Sequence, residues 1–407
     1  TATVVGWMWV RSTPIDTRGS LDFENPLRIP PLAPSTVEDG RRTFDLRIAA
    51  GATAFRDGPQ TATWGIDGTY LSPTVRAARG ETVQMNVTNG LDTETTLHWH
   101  GMHLPAAMDG GPHQLVEPGG TWEPTWTIDQ PASTLWYHPH PHGRTAAHVY
   151  RGVAGMFLID DPDKAPSGLP DSYGVDDIPV IVQDKRFNGD GSLDDSQPSF
   201  STVGQLGDEI LVNGTHSPYF DVTTQRVRLR VLNASNGRVY NLGLSDDRSF
   251  TLIGTDGGLL TEPVDLDRLQ VSPGERAEIV VTLSPGERVV LRSDSPTLGA
   301  GFWNDRFSGA HDRFDLLELR AANQLDESPD LPARLDGDEL PDAADAVTSR
   351  QFELRGQNRI NGREMDMARI DTVVAVGTTE VWEVTNGAGR PHNFHVHDVQ
   401  FRLLAIE

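Results

Sequence analysis

Histidine is the residue through which this chain could do chemistry. Thirteen occur in 407 residues, eight of them between His98 and His148 and three between His392 and His397. Four pairs are separated by a single residue: His98/His100, His138/His140, His140/His142 and His395/His397. On an extended strand, residues two apart face the same side, so each pair would present two imidazoles together. Any single histidine reads better as an ordinary core or surface residue. The set does not, because several uncharged imidazoles are costly to bury without partners, and neutral imidazole is a good ligand for copper, zinc, iron and nickel. Copper stands at the top of the affinity order for divalent ions, although histidine count alone leaves zinc open. The sequence has no cysteine, so these residues supply no disulfide, thiolate ligand or cysteine nucleophile.

The elements that must position these histidines are visible as an internal repeat. Gly80 to Gly90 alternates apolar and polar residues and ends in Asn89-Gly90, the pattern of a half-buried strand followed by a turn. Gly377 to Gly387 matches it without a gap, and Val227 to Asn233 is a third copy. Each copy follows an Asp-Gly or Asn-Gly turn, at Asp67-Gly68, Asn213-Gly214 and Asn361-Gly362. His98 and His395 stand at the same offset from Asn89 and Asn386, and His100 and His397 follow two residues later. The equivalent positions of the middle copy are Leu242 and Leu244, so that unit is expected to pack and space rather than bind.

Short alternating strands with regular turns, repeated three times, predict an all-β chain of three consecutive Greek-key β-sandwiches. The Pro/Asp-rich break from Asp160 to Pro170 and the acidic stretch from Asp326 to Asp345 suggest boundaries. The resulting units are residues 1–163 (including an N-terminal extension), 171–322 and 350–407, with an acidic surface linker at 323–349. The last is about half a sandwich, and the polypeptide is expected to continue past Glu407 for roughly half of a ~100-residue domain. A net charge of -24 argues against nucleic acid as a partner. No apolar run approaches the ~20 residues of a membrane helix. The first residues lack the features of a signal peptide, as expected of a cytoplasmic chain or of one already processed.

At the level of motifs the chain resembles the multicopper oxidase family over nearly its whole length. The resemblance is carried by His98-Trp99-His100-Gly101, Trp136-Tyr137-His138-Pro139-His140 and His392-Asn393-Phe394-His395-Val396-His397, three of the family's four copper motifs in the right order. Met108 to Pro112 and Asp129 to Ala132 are similar to bacterial laccase-like members. The resemblance implies cupredoxin-like domains, the third incomplete, and four coppers in a complete chain: one type 1, one type 2 and two type 3. It places His98 and His395 on the type 2 copper, His100 and His138 on one type 3 copper, His140 and His397 on the other, and His392 on the type 1 copper. Asp109 matches a carboxylate that helps supply protons to the cluster. His142 and His148 are expected in supporting or surface positions, His103 and His113 along the approach, and Trp136 and Tyr137 packed against the cluster. The family's fourth motif, with its cysteine, is absent from these residues, so a polypeptide ending at Glu407 is expected to complete neither copper centre.

The activity implied is that of a laccase: one-electron oxidation of phenols or aromatic amines coupled to four-electron reduction of dioxygen to water. The implied partners are a small aromatic reductant and dioxygen, and the implied setting is a secreted or cell-envelope monomer whose signal peptide has been removed. Cuprous oxidation in copper tolerance is the nearest alternative, disfavoured by only seven methionines, none in the acidic stretch, and by Ala388 where such relatives carry an acid. A copper-free structural or assembly protein on the same fold is a third reading.

Overall fold

The computed structural model describes residues 14–56, 58–164, 168–196, 203–335, 337, 341–356 and 358–406. The start of the N-terminal extension and parts of both boundary segments fall outside them. Five sheets fall into three groups along the chain. The first unit packs a six-strand sheet, built on Arg41–Thr53 and Thr82–Asn89, against a four-strand sheet ordered Val75–Ala78, Gly155–Asp160, Ser133–His138 and His98–His100. Between them lies a core that includes Phe44, Val83, Met85, Trp99, Trp126 and Phe157. The second unit packs a seven-strand sheet against a six-strand sheet over Ile178, Leu229, Val231, Leu242, Leu244, Leu291 and Phe314. In the third unit a four-strand sheet is built on Ala346–Arg355 and Thr379–Asn386.

The three repeat strands are the same device. Thr82–Asn89, Arg226–Asn233 and Thr379–Asn386 each pair in parallel with a long strand, respectively Arg41–Thr53, Asp177–Lys185 and Ala346–Arg355. Each ends on an asparagine whose Oδ1 accepts from the backbone N–H two residues on, at Leu91, Ser235 and Ala388. The same amide donates into the following loop, to Thr93, Arg238 and Arg390 carbonyls. An asparagine does this because its side chain mimics a backbone turn. The preceding turns repeat as well: Asp67, Asn213 and Asn361 all adopt positive φ, and their side-chain oxygens accept from Arg47, Ile181 and Glu353 N–H groups.

Two placements differ from the sequence expectation. The N-terminal extension, expected with the first unit, lies on the second: Asn25–Pro26 adds a parallel strand beside Pro218–Tyr219, and Ile15, Leu27 and Ile29 pack on that unit's core. Apolar residues within a Pro-rich segment gain burial by covering a sheet edge. The acidic stretch is also more than a surface linker. Leu335 is fully buried with Ile253 and Val280, and Leu331 packs against them, so the stretch is pinned to the second unit through these leucines while Asp326, Glu327, Asp330, Asp342 and Asp345 are exposed.

The first two units meet through Trp136, Ala154, Met156 and Leu158 on one side and Ile181, Leu232 and Ala234 on the other. Beside this apolar seam runs a buried ionic network. Arg230 contacts Asp177 at 2.6 Å and Glu278 at 3.2 Å, Arg228 pairs with Glu278, and Thr134 of the first unit donates to Glu278 at 2.6 Å. Every charge in it has an opposite partner, which is what makes its burial tolerable.

Candidate metal centre

His98–His100 is a three-residue strand pairing with Ser133–His138 in the register His100↔Trp136, Trp99↔Tyr137 and His98↔His138. Alternation therefore puts His98, His100, Trp136 and His138 on one face and Trp99 and Tyr137 on the other. Trp136 stacks on the His138 ring at 4.1 Å and lies 5.2 Å from that of His100. Tyr137 does not pack on the cluster as expected. Its neighbour is Trp99, and its hydroxyl donates to the Pro73 carbonyl at 2.6 Å.

The chain's other end supplies the facing wall. His395 stacks on His100 with centroids 3.9 Å apart and planes 9° from parallel, and His397 stacks on His98 at 4.2 Å. His140 stands 5.4 Å from both His98 and His397. His395 and His397 lie in irregular backbone beyond the last strand, so their proximity, 4.8 Å between rings, does not come from strand alternation. Their segment is clasped to the first unit instead: Leu104 N–H donates to Asp398 and Gln400 donates to the Gly101 carbonyl, while earlier in the third unit the Met367 carbonyl lies 3.0 Å from His113 Nε2.

Asp109 joins the two ends. Its carboxylate lies 3.2 Å from His98 Nδ1 and 2.8 Å from His397 Nδ1, and its carbonyl is 2.9 Å from His98 Nδ1. Partial burial opposes ionisation of this carboxyl, but the hydrogen bonds from His397 and His98 outweigh it and hold it well below the usual carboxylate range. An ionised acceptor at Nδ1 fixes the tautomer with Nε2 unprotonated on both rings. The loop reaches this position because Gly110 has no Cβ: one would stand 1.8 Å from the Leu97 carbonyl, at a φ of +75°.

The donor atoms suit a metal. His98 Nε2 and His140 Nδ1 are buried without a hydrogen-bond partner. Such orphans in a polar cluster call for an explanation, and an ion supplies one. His138 Nδ1 lies 2.9 Å from the Pro139 carbonyl, which leaves Nε2 free, and that atom is 3.3 Å from His100 Nδ1. Two imidazole nitrogens on one tetrahedral ion would be roughly 3.3 Å apart. One ligand atom from each of His98, His100 and His395 lies within 4.8 Å of the others. Burial first, and neighbouring positive charge second, push His100 and His138 well below the ordinary histidine range and His140 to about 4, so all three are neutral at neutral pH.

Six of the seven predicted metal-binding histidines thus converge, three pairs drawn from two ends of the chain. His392 stands apart, its Nε2 3.3 Å from the Gly356 carbonyl. His142 is exposed. His148 is buried beneath Trp64 with Nδ1 3.1 Å from the Thr95 hydroxyl. His103 is partly buried, its backbone N–H donating to Gln130 Oε1 at 2.7 Å. Sequence reading missed Thr96, whose hydroxyl accepts from His140 N–H at 2.7 Å, and the Pro273-Gly274 turn of the second unit, where an added Cβ at Gly274 would reach to 3.7 Å from the His100 ring. A threonine two residues before the first motif carries no distinctive signal, and nothing local in the second unit points at a histidine so distant in sequence.

Three family models described as multicopper oxidase match residues 47–164, 171–289 and 337–407. Among curated relatives, the cell division protein FtsP of Xenorhabdus nematophila is 38% identical over 385 residues, covering 92% of this chain and 79% of its own. The Escherichia coli protein of the same name is 38% identical over 387 residues, covering 93% and 80%. Among solved structures, a laccase from Pediococcus acidilactici superposes with a TM-score of 0.78 at 36% identity over 89% of this chain and 76% of that one. A laccase-like multicopper oxidase from Ochrobactrum gives 0.80 at 36% over 89% and 82%. The multicopper oxidase McoA of Aquifex aeolicus gives 0.81 at 31% over 94% and 86%. With three matching domains in series and its imidazoles gathered where the first and last meet, this chain belongs to the multicopper oxidase family.

Proposed function

We propose that the protein is a copper-dependent oxidase that passes electrons from a phenolic or aromatic-amine reductant to dioxygen. The observation that carries this reading is the pair of rings, His98 and His397, each held at Nδ1 by one carboxylate so that Nε2 is left free as a donor atom among further imidazoles. Copper held there by His98, His100, His138, His140, His395 and His397 would supply the electron storage and oxygen reduction that no side chain of this sequence can. The protein's own residues do the rest. Asp109 fixes two ring tautomers and orientations across the junction of the end units. Lying between two ring N–H groups, it is also placed to hand on protons to the space those rings face. Trp136 excludes water from one side of His100 and His138. His392, outside the cluster, is the residue nearest in motif to the family's substrate-facing copper ligand. A secreted or cell-envelope location is supported by the relatives named cell division proteins; among the described residues no helix is long and apolar enough to cross a membrane.

One observation favours a second reading, a structural role on the same fold: the curated relatives at 38% identity are named cell division proteins. Oxygen uptake separates the two. Full-length protein equilibrated with copper and then dialysed is expected to consume dioxygen in the presence of a phenol such as 2,6-dimethoxyphenol, with one dioxygen used per four phenols oxidised. Retained copper without turnover would favour the structural reading.

A further inference from the structure

The second unit gives the cluster no imidazole, yet one of its turns borders it. Its Ser272–Glu275 turn is closed by the Glu275 carboxylate, which accepts from Ser272 N–H at 2.6 Å and from the Ser272 hydroxyl at 2.9 Å. At its tip Gly274, with φ +86°, faces His100 and Trp136 closely enough that an added Cβ would reach them, 3.7 Å from His100 Cε1 and 3.8 Å from Trp136 Cζ2. The neighbouring Pro273 carbonyl accepts from Asn393 of the third unit at 2.7 Å. One turn of the second unit is therefore hydrogen-bonded to the third beside the His100/His395 stack.

What holds the turn is Arg276. Its side chain is 3% exposed, and its hydrogen bonds run to three different segments: Nε to the Thr134 carbonyl at 3.1 Å, NH1 to that of Gly274 at 2.9 Å, NH2 to that of Asp256 at 3.0 Å. NH2 also occupies the space a side chain at Gly101 would fill, 2.9 Å from that Cβ position, directly after His100. Among the described residues its ion-pair partner is Asp256, at 3.0 Å and 45% exposed, so water screens that carboxylate far more than the buried cation, while the nearby Glu275 carboxylate, which also attracts it, is engaged by Ser272. Arginine stays charged when buried, and its fork can bind a loop and a strand at once.

We propose that Arg276 is a positioning residue of the copper cluster: it seats the middle unit's turn against His100 and makes the cluster's surroundings electropositive, strengthening its affinity for small anions. This rests on the copper-binding reading above. The test is azide titration of copper-loaded full-length protein, followed optically, with copper content measured on the same samples. Arg276→Met is expected to weaken azide binding by about tenfold or more, since a buried charge acts through a low effective dielectric, and Arg276→Lys to recover part of the loss. Asp256→Asn, which removes the counter-charge, is expected to shift the affinity the other way. A purely structural role would not produce opposite signs. Equal azide affinity in wild type and Arg276→Met at equal copper content overturns the inference alone, as does weaker binding in Asp256→Asn. Wild-type protein that retains no copper overturns the reading beneath it. Should Arg276→Met fail to fold, Arg276→Lys and Asp256→Asn decide by the same two signs.

Discussion

A carboxylate facing two ring N–H groups does two things at once, and Asp109 can be asked which matters more. Asn at this position keeps one oxygen acceptor and loses the charge and the second acceptor. Asp109→Asn is therefore expected to keep most of the copper while slowing dioxygen consumption by at least about tenfold, the scale on which general acid–base groups contribute. Asp109→Ala frees the His397 Nδ1 and leaves that of His98 only the backbone carbonyl of residue 109, and is expected to lower copper affinity as well, by about 10–100-fold. Equal loss of copper in both variants would make Asp109 an anchor of the His98 loop only, and unchanged turnover in Asp109→Asn would remove it from proton delivery. The motifs made the imidazoles legible at this scale because metal-binding histidines cluster in sequence. The double contact of Asp109 was not legible, since its second partner, His397, is brought to it only by tertiary packing.

At the scale of elements, the repeat strands make a comparison within one molecule. Asn89 and Asn233 are fully buried, and each donates two hydrogen bonds and accepts a third, whereas Asn386 is exposed. Removing a buried amide leaves carbonyls and an N–H unpaired, so Asn89→Ala and Asn233→Ala are each expected to cost about 2–3 kcal/mol, and Asn386→Ala about 1 kcal/mol or less. Urea unfolding of the three variants checks the order, and an equal cost at all three would mean that local turn geometry, not burial, is what the asparagine provides. This periodicity is also why the three units could be read from the sequence: the strand and its turn are set by local alternation and by asparagine chemistry. Where the extension of residues 14–29 docks could not be read, because Ile15, Leu27 and Ile29 would suit any exposed apolar edge.

For the whole molecule, the junction of the first two units depends on buried charge. Burial alone would raise the Glu278 carboxyl, but Arg228, Arg230 and the Thr134 hydroxyl outweigh it and bring the group to about 2, below its ordinary value of 4.5. A carboxyl lowered by folding adds stability that is fully present above 4.5 and is lost as pH falls through the lower value. The wild-type protein is thus expected to lose stability between about pH 4.5 and 2 in part through this junction. Glu278→Gln is expected to be less stable at neutral pH and to show a shallower acid dependence in chemical unfolding. A parallel pH dependence in the two proteins would mean that Glu278 does not titrate with unfolding. The junction matters to function because Ser133–His138, which carries His138, holds Thr134 against the same network.

The claim on which the rest depends is that six imidazoles from the two end units bind copper as one cluster. It is tested most directly by elemental analysis of full-length protein, equilibrated with copper and dialysed, in wild type and in variants that remove one wall at a time. His98→Ala in the first unit and His397→Ala in the third are each expected to lose bound copper and oxygen uptake together, because each ring completes a site begun by the other unit. Two independent sites, one per unit, would instead lose copper additively and leave the remaining site intact. Wild-type protein that holds no copper, or His397→Ala protein that holds as much as wild type, would contradict the account.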